Sequence, residues 1–192
     1  MKFLDVLFGR TKPVKPNLDA LFSVPSAATT LDASLGLVPT GLGAVCFKSV
    51  EGPSAARAQA DALALVAADI QARATVTQDE YGYTWIASER KSRDLSALVT
   101  DLHAVNSTLA DAGDGPSLLC TIIEFSGKDE KDARRLMLVY LYKRGTYYPF
   151  APNGPQVRDT SLEMSVRAQL KGDLPIETDL NRWFPIWGAP GL

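Results

Sequence analysis

The sequence predicts a single-domain α+β protein with a largely antiparallel sheet and helices packed on it, and three observations predict this class. Residues 136–142 form an unbroken run of large apolar and aromatic side chains, which is typical of a strand central to a sheet. Gly145 interrupts the pattern and aromatics resume at 147–150, which indicates a hairpin with a short outer strand. Residues 94–111 carry leucine and valine at the i, i+3, i+4, i+7 spacing of an amphipathic helix.

Other elements follow from local patterns. A short helix is expected over 17–23, capped by Asn17 and ended by Pro25. Residues 26–43 fit either a helix or a strand, and a buried strand follows at 45–47. The remaining expected elements are an alanine-rich helix from Pro53 to about residue 72 with Leu63, Val66 and Ile70 as its buried stripe, a hairpin over 75–87, a strand over 118–125 and a helix over 160–170.

Composition limits the classes of function. The chain has 192 residues, 46% hydrophobic and 22% charged, which fits one globular domain or one domain with arms. A net charge of −2 argues against nucleic acid as a partner. No apolar run reaches the roughly 20 residues that cross a bilayer, and no signal peptide is expected. We expect a cytoplasmic protein, with peripheral contact at the inner face of the cell membrane left open.

The chain divides into an amphipathic N-terminal arm at 1–25, an α+β domain at 26–173 and an aromatic C-terminal tail at 174–192. On a helix, the apolar residues of the arm would form one bulky face, followed by a basic, proline-broken stretch. This pattern fits either a weak anchor in anionic lipid or a face that packs on the body or on a partner. The arm residues concerned are Phe3, Leu4, Leu7, Phe8, Arg10, Lys12 and Lys15.

The tail carries Trp183, Phe184 and Trp187, which is too much aromatic surface to leave in water. We expect the tail to dock on the body of its own chain. A groove on a partner is the alternative.

No catalytic constellation emerges, so we expect a protein that is not an enzyme and needs no cofactor. His103 is the only histidine and lies beside the apolar stripe of its helix. Cys46 and Cys120 sit in apolar strand-like runs and are expected to be buried thiols rather than a disulfide. These residues are too few for a transition-metal site. The carboxylates of residues 79–80 and 129–130 fall in turns and are expected to be solvated.

The turn after residue 142 is an alternative ligand site. Lys143 and Arg144 lie beside Tyr147, and together they could hold a phosphate or stack a nucleotide base. Charged turn residues flanked by core aromatics explain the same pattern.

Several strings resemble one family across nearly the whole chain. They are residues 1–22, Tyr81-Gly-Tyr-Thr-Trp85, residues 98–106, residues 138–146 with Tyr148-Pro-Phe-Ala-Pro152, and residues 182–192. The family that they resemble is PspAB, of phage-shock-protein-A-associated proteins. The resemblance implies association with an envelope-stress system built around a membrane-remodelling coiled-coil protein, and it assigns no residue a role.

A weaker likeness concerns the fold alone. From residue 54 the predicted order of helix, two strands, helix, three strands and helix is similar to YbjN and type III secretion chaperone-like folds. The function we expect is therefore that of a non-enzymatic accessory protein that contacts the PspA-like coiled-coil protein through its arm and tail. The alternative is a small-ligand or nucleotide-binding regulatory module.

Overall fold

The structure is a computed structural model that describes residues 16–49 and 51–192. These residues form four α-helices and a six-stranded sheet, which confirms the α+β class. The helices are α1 (Val24–Leu35), α2 (Pro53–Ala67), α3 (Leu95–Leu109) and α4 (Thr160–Leu170). The strands are β1 (Leu37–Lys48), β2 (Ala72–Gln78), β3 (Tyr83–Arg90), β4 (Leu118–Gly127), β5 (Arg135–Leu141) and β6 (Thr146–Phe150).

The sheet has the order β2-β3-β1-β4-β5-β6, and every neighbouring pair is antiparallel. The two central strands are therefore β1 and β4, so the prediction that the 136–142 run is central was wrong. That run is β5, which lies between β4 and the outer strand β6. Its side chains are large and apolar because both faces of the sheet are covered there, whatever the position of the strand.

One face of the sheet carries the helices. Side chains that alternate along the strands, such as Val45, Ile123 and Leu138, are fully or almost fully buried against them. Helix α3 lies directly on β1, because a Cβ atom added to Gly43 would come within 2.7 Å of Leu102 Cδ1. A side chain at position 43 would therefore displace the Leu102 side chain and lie only 2.9 Å from the Ile122 carbonyl of β4.

The N-terminal elements differ from the prediction in two ways. Leu18–Ser23 is a 3-10 helix, and Asn17 precedes it without a capping hydrogen bond from its side chain. Pro25 does not end this helix but lies in the first turn of α1, where its missing N–H costs nothing. The undecided 26–43 segment contains the rest of α1, a left-handed Gly36 cap and the start of β1. Leu21 and Val24 are fully buried in the helix-side core.

Helix α2 is shorter than predicted. It ends at Ala67, so Ile70 lies in the turn before β2 and is 80% exposed. The buried stripe consists of Ala58, Ala62 and Val66, and these small side chains let α2 pack closely against its neighbours. By contrast, α4 has the predicted bounds. No helix in the described ranges combines the length and the apolar character needed to cross a membrane.

A buried ion pair joins β3 to α3. Arg90 Nε donates to Asp101 Oδ2 at 2.7 Å and Arg90 Nη2 donates to Oδ1 at 2.5 Å. Ser88 adds a hydroxyl donor to Asp101 Oδ2, and Asp69 accepts from the far side of the guanidinium. The hydrogen bond to Asp101 is the main cause of a raised pKa at Arg90, so the guanidinium stays charged inside the fold.

Removing Asp101 should destabilise the protein strongly, because Arg90 would keep its charge while losing its buried partner. We expect Asp101→Ala to lower the free energy of unfolding by about 3 kcal/mol, since Asp69 still pairs with the arginine. Urea denaturation measures this change. The control is Asp61→Ala, which removes an exposed i, i+4 pair with Arg57 and should change the free energy by less than about 1 kcal/mol. Equal effects of the two variants would contradict a larger contribution of the buried Arg90–Asp101 pair to stability.

Candidate functional site

The second face of the sheet is apolar and carries none of the four helices. We call this surface the tail face; its strand residues are Ala44, Cys46, Trp85, Ala87, Cys120, Ile122, Met137, Val139, Tyr148 and Phe150. All of them are buried. What buries them is the C-terminal tail, whose Trp183 and Ala189 belong to the same apolar cluster.

The tail begins along the outer edge of β6. The Tyr147 N–H donates to the Pro175 carbonyl at 2.8 Å, and the Glu177 N–H donates to the Tyr147 carbonyl at 2.7 Å. An isolated parallel bridge joins Tyr147 to Ile176 at this point. The tail thereby pairs backbone groups of an edge strand that would otherwise be open to another chain.

Aromatic contacts then hold the tail to the tail face. The Trp183 ring stacks on Tyr148 with 5.9 Å between centroids, and its Nε1 donates to the Glu177 carbonyl at 3.1 Å. The Trp187 ring packs edge-on against the Phe150 ring, with 4.8 Å between the ring centroids. Trp183 thus docks on its own chain, whereas Phe184 next to it is 61% exposed.

Three hydrogen bonds to tail carbonyls fix the path of the backbone. The Tyr148 hydroxyl donates to the Phe184 carbonyl at 2.9 Å, and Arg158 Nη1 donates to the Trp183 carbonyl at 2.7 Å. Arg135 donates to the Gly191 carbonyl near the end of the chain. Burial raises the pKa of Tyr148, so its hydroxyl remains protonated and able to donate.

Glu177 secures the start of the tail. Burial by itself would raise its pKa, but hydrogen bonds from the Asp179 N–H, the Thr146 hydroxyl and the Arg144 guanidinium outweigh burial and lower it. The carboxylate is therefore ionised at neutral pH and ties the β5–β6 turn to the tail. Arg144 is consequently engaged in an ion pair with the protein's own chain.

Between the tail and the sheet lies a cavity of about 580 Å³. Its walls are mostly apolar, and its volume is within the range of natural ligand pockets. Residues that form its walls include Cys46, Trp85, Cys120, Leu141, Tyr148 and Ile186. The tail segment at 184–188 forms one wall of the cavity.

Exposed aromatic residues surround the mouth of this cavity. We call Tyr81, Tyr83 and Phe184 the aromatic rim; all three line the cavity and are exposed. Sequence reasoning singled out Phe184 but not the two tyrosines. The Tyr81–Trp85 string could have identified them only together with the path of the tail, which brings Gly188 beside Asp79 of the β2–β3 turn.

Asp79 organises one side of the rim. Its Oδ1 accepts from the N–H groups of Tyr81 and Tyr83, each at 2.9 Å, and its Oδ2 accepts from Trp85 Nε1 at 2.9 Å. Asp79 is therefore a half-buried turn residue rather than a solvated one. Its contact with the tail requires a glycine, because a Cβ atom at Gly188 would lie 2.6 Å from Asp79 Cβ.

The other predicted site residues lie elsewhere. The arm residues Phe3, Leu4, Leu7, Phe8, Arg10, Lys12 and Lys15 fall outside the described residues.

The alternative ligand site at the β5–β6 turn is not assembled. Tyr147 is fully buried on the helix side and donates its hydroxyl to the Ala20 carbonyl, while Lys143 is exposed at the turn. The aromatic ring therefore does not face the two cations.

His103 is partly packed on the surface of α3. The centroid of its ring lies 4.9 Å from the centroid of the Phe22 ring, and its Nε2 lies 3.5 Å from Asp19 Oδ1. No group of three or more histidine, cysteine or carboxylate side chains in the described part of the chain could hold a metal ion.

Fold and site together define an α+β protein whose own C-terminal tail covers one face of its sheet and leaves an apolar, aromatic-rimmed pocket. A sequence model of the PspAB family, described as PspA associated protein B, matches residues 1–191, and the chain belongs to this family. Membership associates the chain with PspA, a protein of the phage-shock system. No curated protein and no solved structure matches, so the likeness to YbjN and type III secretion chaperone-like folds is not confirmed.

Replacing Gly188 should loosen the tail without unfolding the sheet. In Gly188→Ala the new methyl group would clash with Asp79, so we expect faster proteolytic cleavage between residues 184 and 192 and a small fall in Tm. Limited proteolysis followed by mass spectrometry measures the cleavage. Gly172→Ala is the control, because nothing lies within 4 Å of a Cβ atom there. Unchanged cleavage in Gly188→Ala would show that the tail does not depend on this contact.

Proposed function

We propose that the protein is a non-enzymatic accessory protein that binds a PspA-like coiled-coil protein through the aromatic rim and the pocket beneath it. The observation that carries this proposal is the exposed side chain of Phe184, which lies beside an open apolar cavity although its neighbour Trp183 is buried. An exposed apolar patch around a concave site is typical of a protein-binding surface. The family description supports PspA as the partner.

The occupant that fits best is an amphipathic helix of the partner. Coiled-coil proteins consist of helices with a repeating apolar stripe, and such a helix can place one anchor side chain in a pocket and others along its rim. The cavity of about 580 Å³ has room for a large anchor side chain. Tyr81 and Phe184 offer flat aromatic surface to the residues on either side of that anchor.

Truncating the exposed ring should weaken binding without affecting the fold. Phe184 contributes its backbone carbonyl to the Tyr148 hydrogen bond, and Phe184→Ala retains that carbonyl. We expect binding to the PspA-like protein to weaken about tenfold, a loss of about 1.4 kcal/mol, because the aromatic surface beside the anchor pocket is removed. Titration calorimetry with the purified partner measures the affinity.

Phe22→Ala is the matched control, because Phe22 is 50% exposed but lies on the helix side of the sheet. It should bind the partner as the unchanged protein does. If both variants bind with unchanged affinity, the rim is not the contact surface. If only Phe22→Ala weakens binding, the contact lies on the helix side.

The arm has a separate role in this proposal, as a weak contact with anionic lipid. Its basic residues Arg10, Lys12 and Lys15 follow an apolar stretch, and each basic residue near an anionic surface contributes about 1 kcal/mol. We expect a 13–192 truncation to lose sedimentation with vesicles containing anionic lipid and to retain its affinity for the partner. Vesicles of neutral lipid are the control. Partner binding that disappears with the arm would move the protein contact from the rim to the arm.

A second candidate function is that of a small-ligand-binding regulatory module, which the size of the cavity favours. The cavity walls indicate an apolar ligand rather than a nucleotide. A thermal-shift screen of apolar compounds tests this function. A stabilising compound whose effect disappears when Ile186→Trp fills the cavity would support a ligand-binding function. A screen in which no compound raises the Tm would contradict that function.

A further inference from the structure

We propose that Cys46 and Cys120 form a modification site, a pair of thiols that closes to a cross-strand disulfide by exchange with a small, uncharged disulfide entering the pocket. The pair lies in the wall of the pocket, below the aromatic rim. Its chemistry does not depend on partner binding, so its test and the test of the proposed function can fail independently.

The register of the sheet carries this inference. Cys46 of β1 and Cys120 of β4 are direct partners across an antiparallel pair, and both side chains point to the tail face. Direct partners in such a pair have Cα atoms about 4.5–5.5 Å apart. A disulfide accepts Cα separations of about 4.4–6.8 Å, so the two sulfurs can join without separating the strands.

The pairing of β1 with β4 is also irregular beside the two cysteines. Cys46 pairs with Cys120 whereas Phe47 pairs with Leu118, so Leu119 is an extra residue in β4. A bulge of this kind interrupts the hydrogen bonding and lets the strand bend. The backbone beside Cys120 can therefore adjust to the torsion angle that a disulfide requires.

The cavity is the route to these sulfurs. Both cysteines are free, line the pocket and are only 3% and 8% exposed. Trp85 and Leu141 are the cross-strand neighbours of the pair, so a reagent must pass apolar walls to reach it. A small aromatic disulfide suits such a passage, and a charged one does not.

Cys46 should react slowly with reagents in bulk water, because its thiol is held in the protonated form. The hydrogen bond between the two thiols is the main cause of a raised pKa at Cys46, and burial adds to it. A protonated thiol is a poor nucleophile, so oxidants that stay in solution should react slowly. A disulfide held beside the pair in the cavity gains from proximity, which compensates for the small thiolate fraction.

The exchange has two steps. One cysteine sulfur attacks a sulfur of the incoming disulfide, forms a mixed disulfide and releases the first small thiol, which takes the proton of the attacking cysteine. The second cysteine sulfur then attacks the protein sulfur of the mixed disulfide. The bond between Cys46 and Cys120 forms, and a second small thiol leaves with the remaining proton. The protein loses two hydrogen atoms and the reagent is reduced to two thiols.

The probe for this reaction is 4,4′-dithiodipyridine, an aromatic disulfide that is uncharged at neutral pH and whose released thiol absorbs light. With the folded full-length protein, we expect two molecules of thiol released per chain and an intact mass lower by two hydrogen atoms. Dithiothreitol should restore the original mass. Cys46→Ser and Cys120→Ser should each release one thiol and retain a stable adduct on the remaining cysteine.

Access through the pocket is tested with the Phe184 variant. Phe184→Ala widens the mouth of the cavity and should react several-fold faster than the unchanged protein, whereas Phe22→Ala should react at the same rate. Two adducts on the unchanged protein, a covalent dimer on a non-reducing gel, or no reaction until denaturant is added would each overturn the proposal. The result on the unchanged protein decides the question even if a serine variant fails to fold.

Discussion

A sheet that is apolar on both faces must be covered on both faces, and this requirement governs the whole molecule. The helices cover only one side, where Leu102 of α3 packs directly over Gly43 of β1. The other side would expose a continuous apolar surface from Ala87 to Phe150. The C-terminal tail meets this requirement as a single irregular layer, held by Trp183 and by hydrogen bonds to its carbonyls. The tail is thus part of the core and not an appendage.

A single irregular segment cannot cover the face of a sheet as tightly as packed helices can. The tail contacts β6 through Glu177 and the β2–β3 turn through Gly188, and the segment between these contacts spans the strand ends without filling the space. The pocket is this unfilled space. Trp85, Cys46 and Cys120, which are successive neighbours across the strands, line this pocket, so the pocket and its cysteine pair follow from the way the sheet is covered.

The sequence predicted the elements whose signals are local. Helix α4 has its predicted bounds, and Asp94 caps α3 by accepting from the Ala97 N–H, because capping and periodicity act within a few residues. The central position of β1 and the opposition of Cys46 and Cys120 depend on strand order and register, which no local pattern encodes. The contact between Asp79 and Gly188 was missed for the same reason, since the tail lies more than 100 residues away in sequence, although the hydrogen bonds that Asp79 accepts from Tyr81, Tyr83 and Trp85 are local.

The tail has one aromatic residue that stabilises the fold and an adjacent one that is exposed at the rim. Trp183 points to the sheet and stabilises the fold, whereas its neighbour Phe184 points outward and contributes only a carbonyl to the tail's attachment. The chain leaves a 3-10 helix (Leu180–Arg182) at Trp183, and one short aromatic string there supplies both a core anchor and an exposed ring. Three of the strings that carry the family resemblance, those around Trp85, Tyr148 and Trp183, meet at this pocket. A partner that engages the rim would therefore bind a surface whose position is fixed by the core beneath it, which lowers the ordering cost of binding.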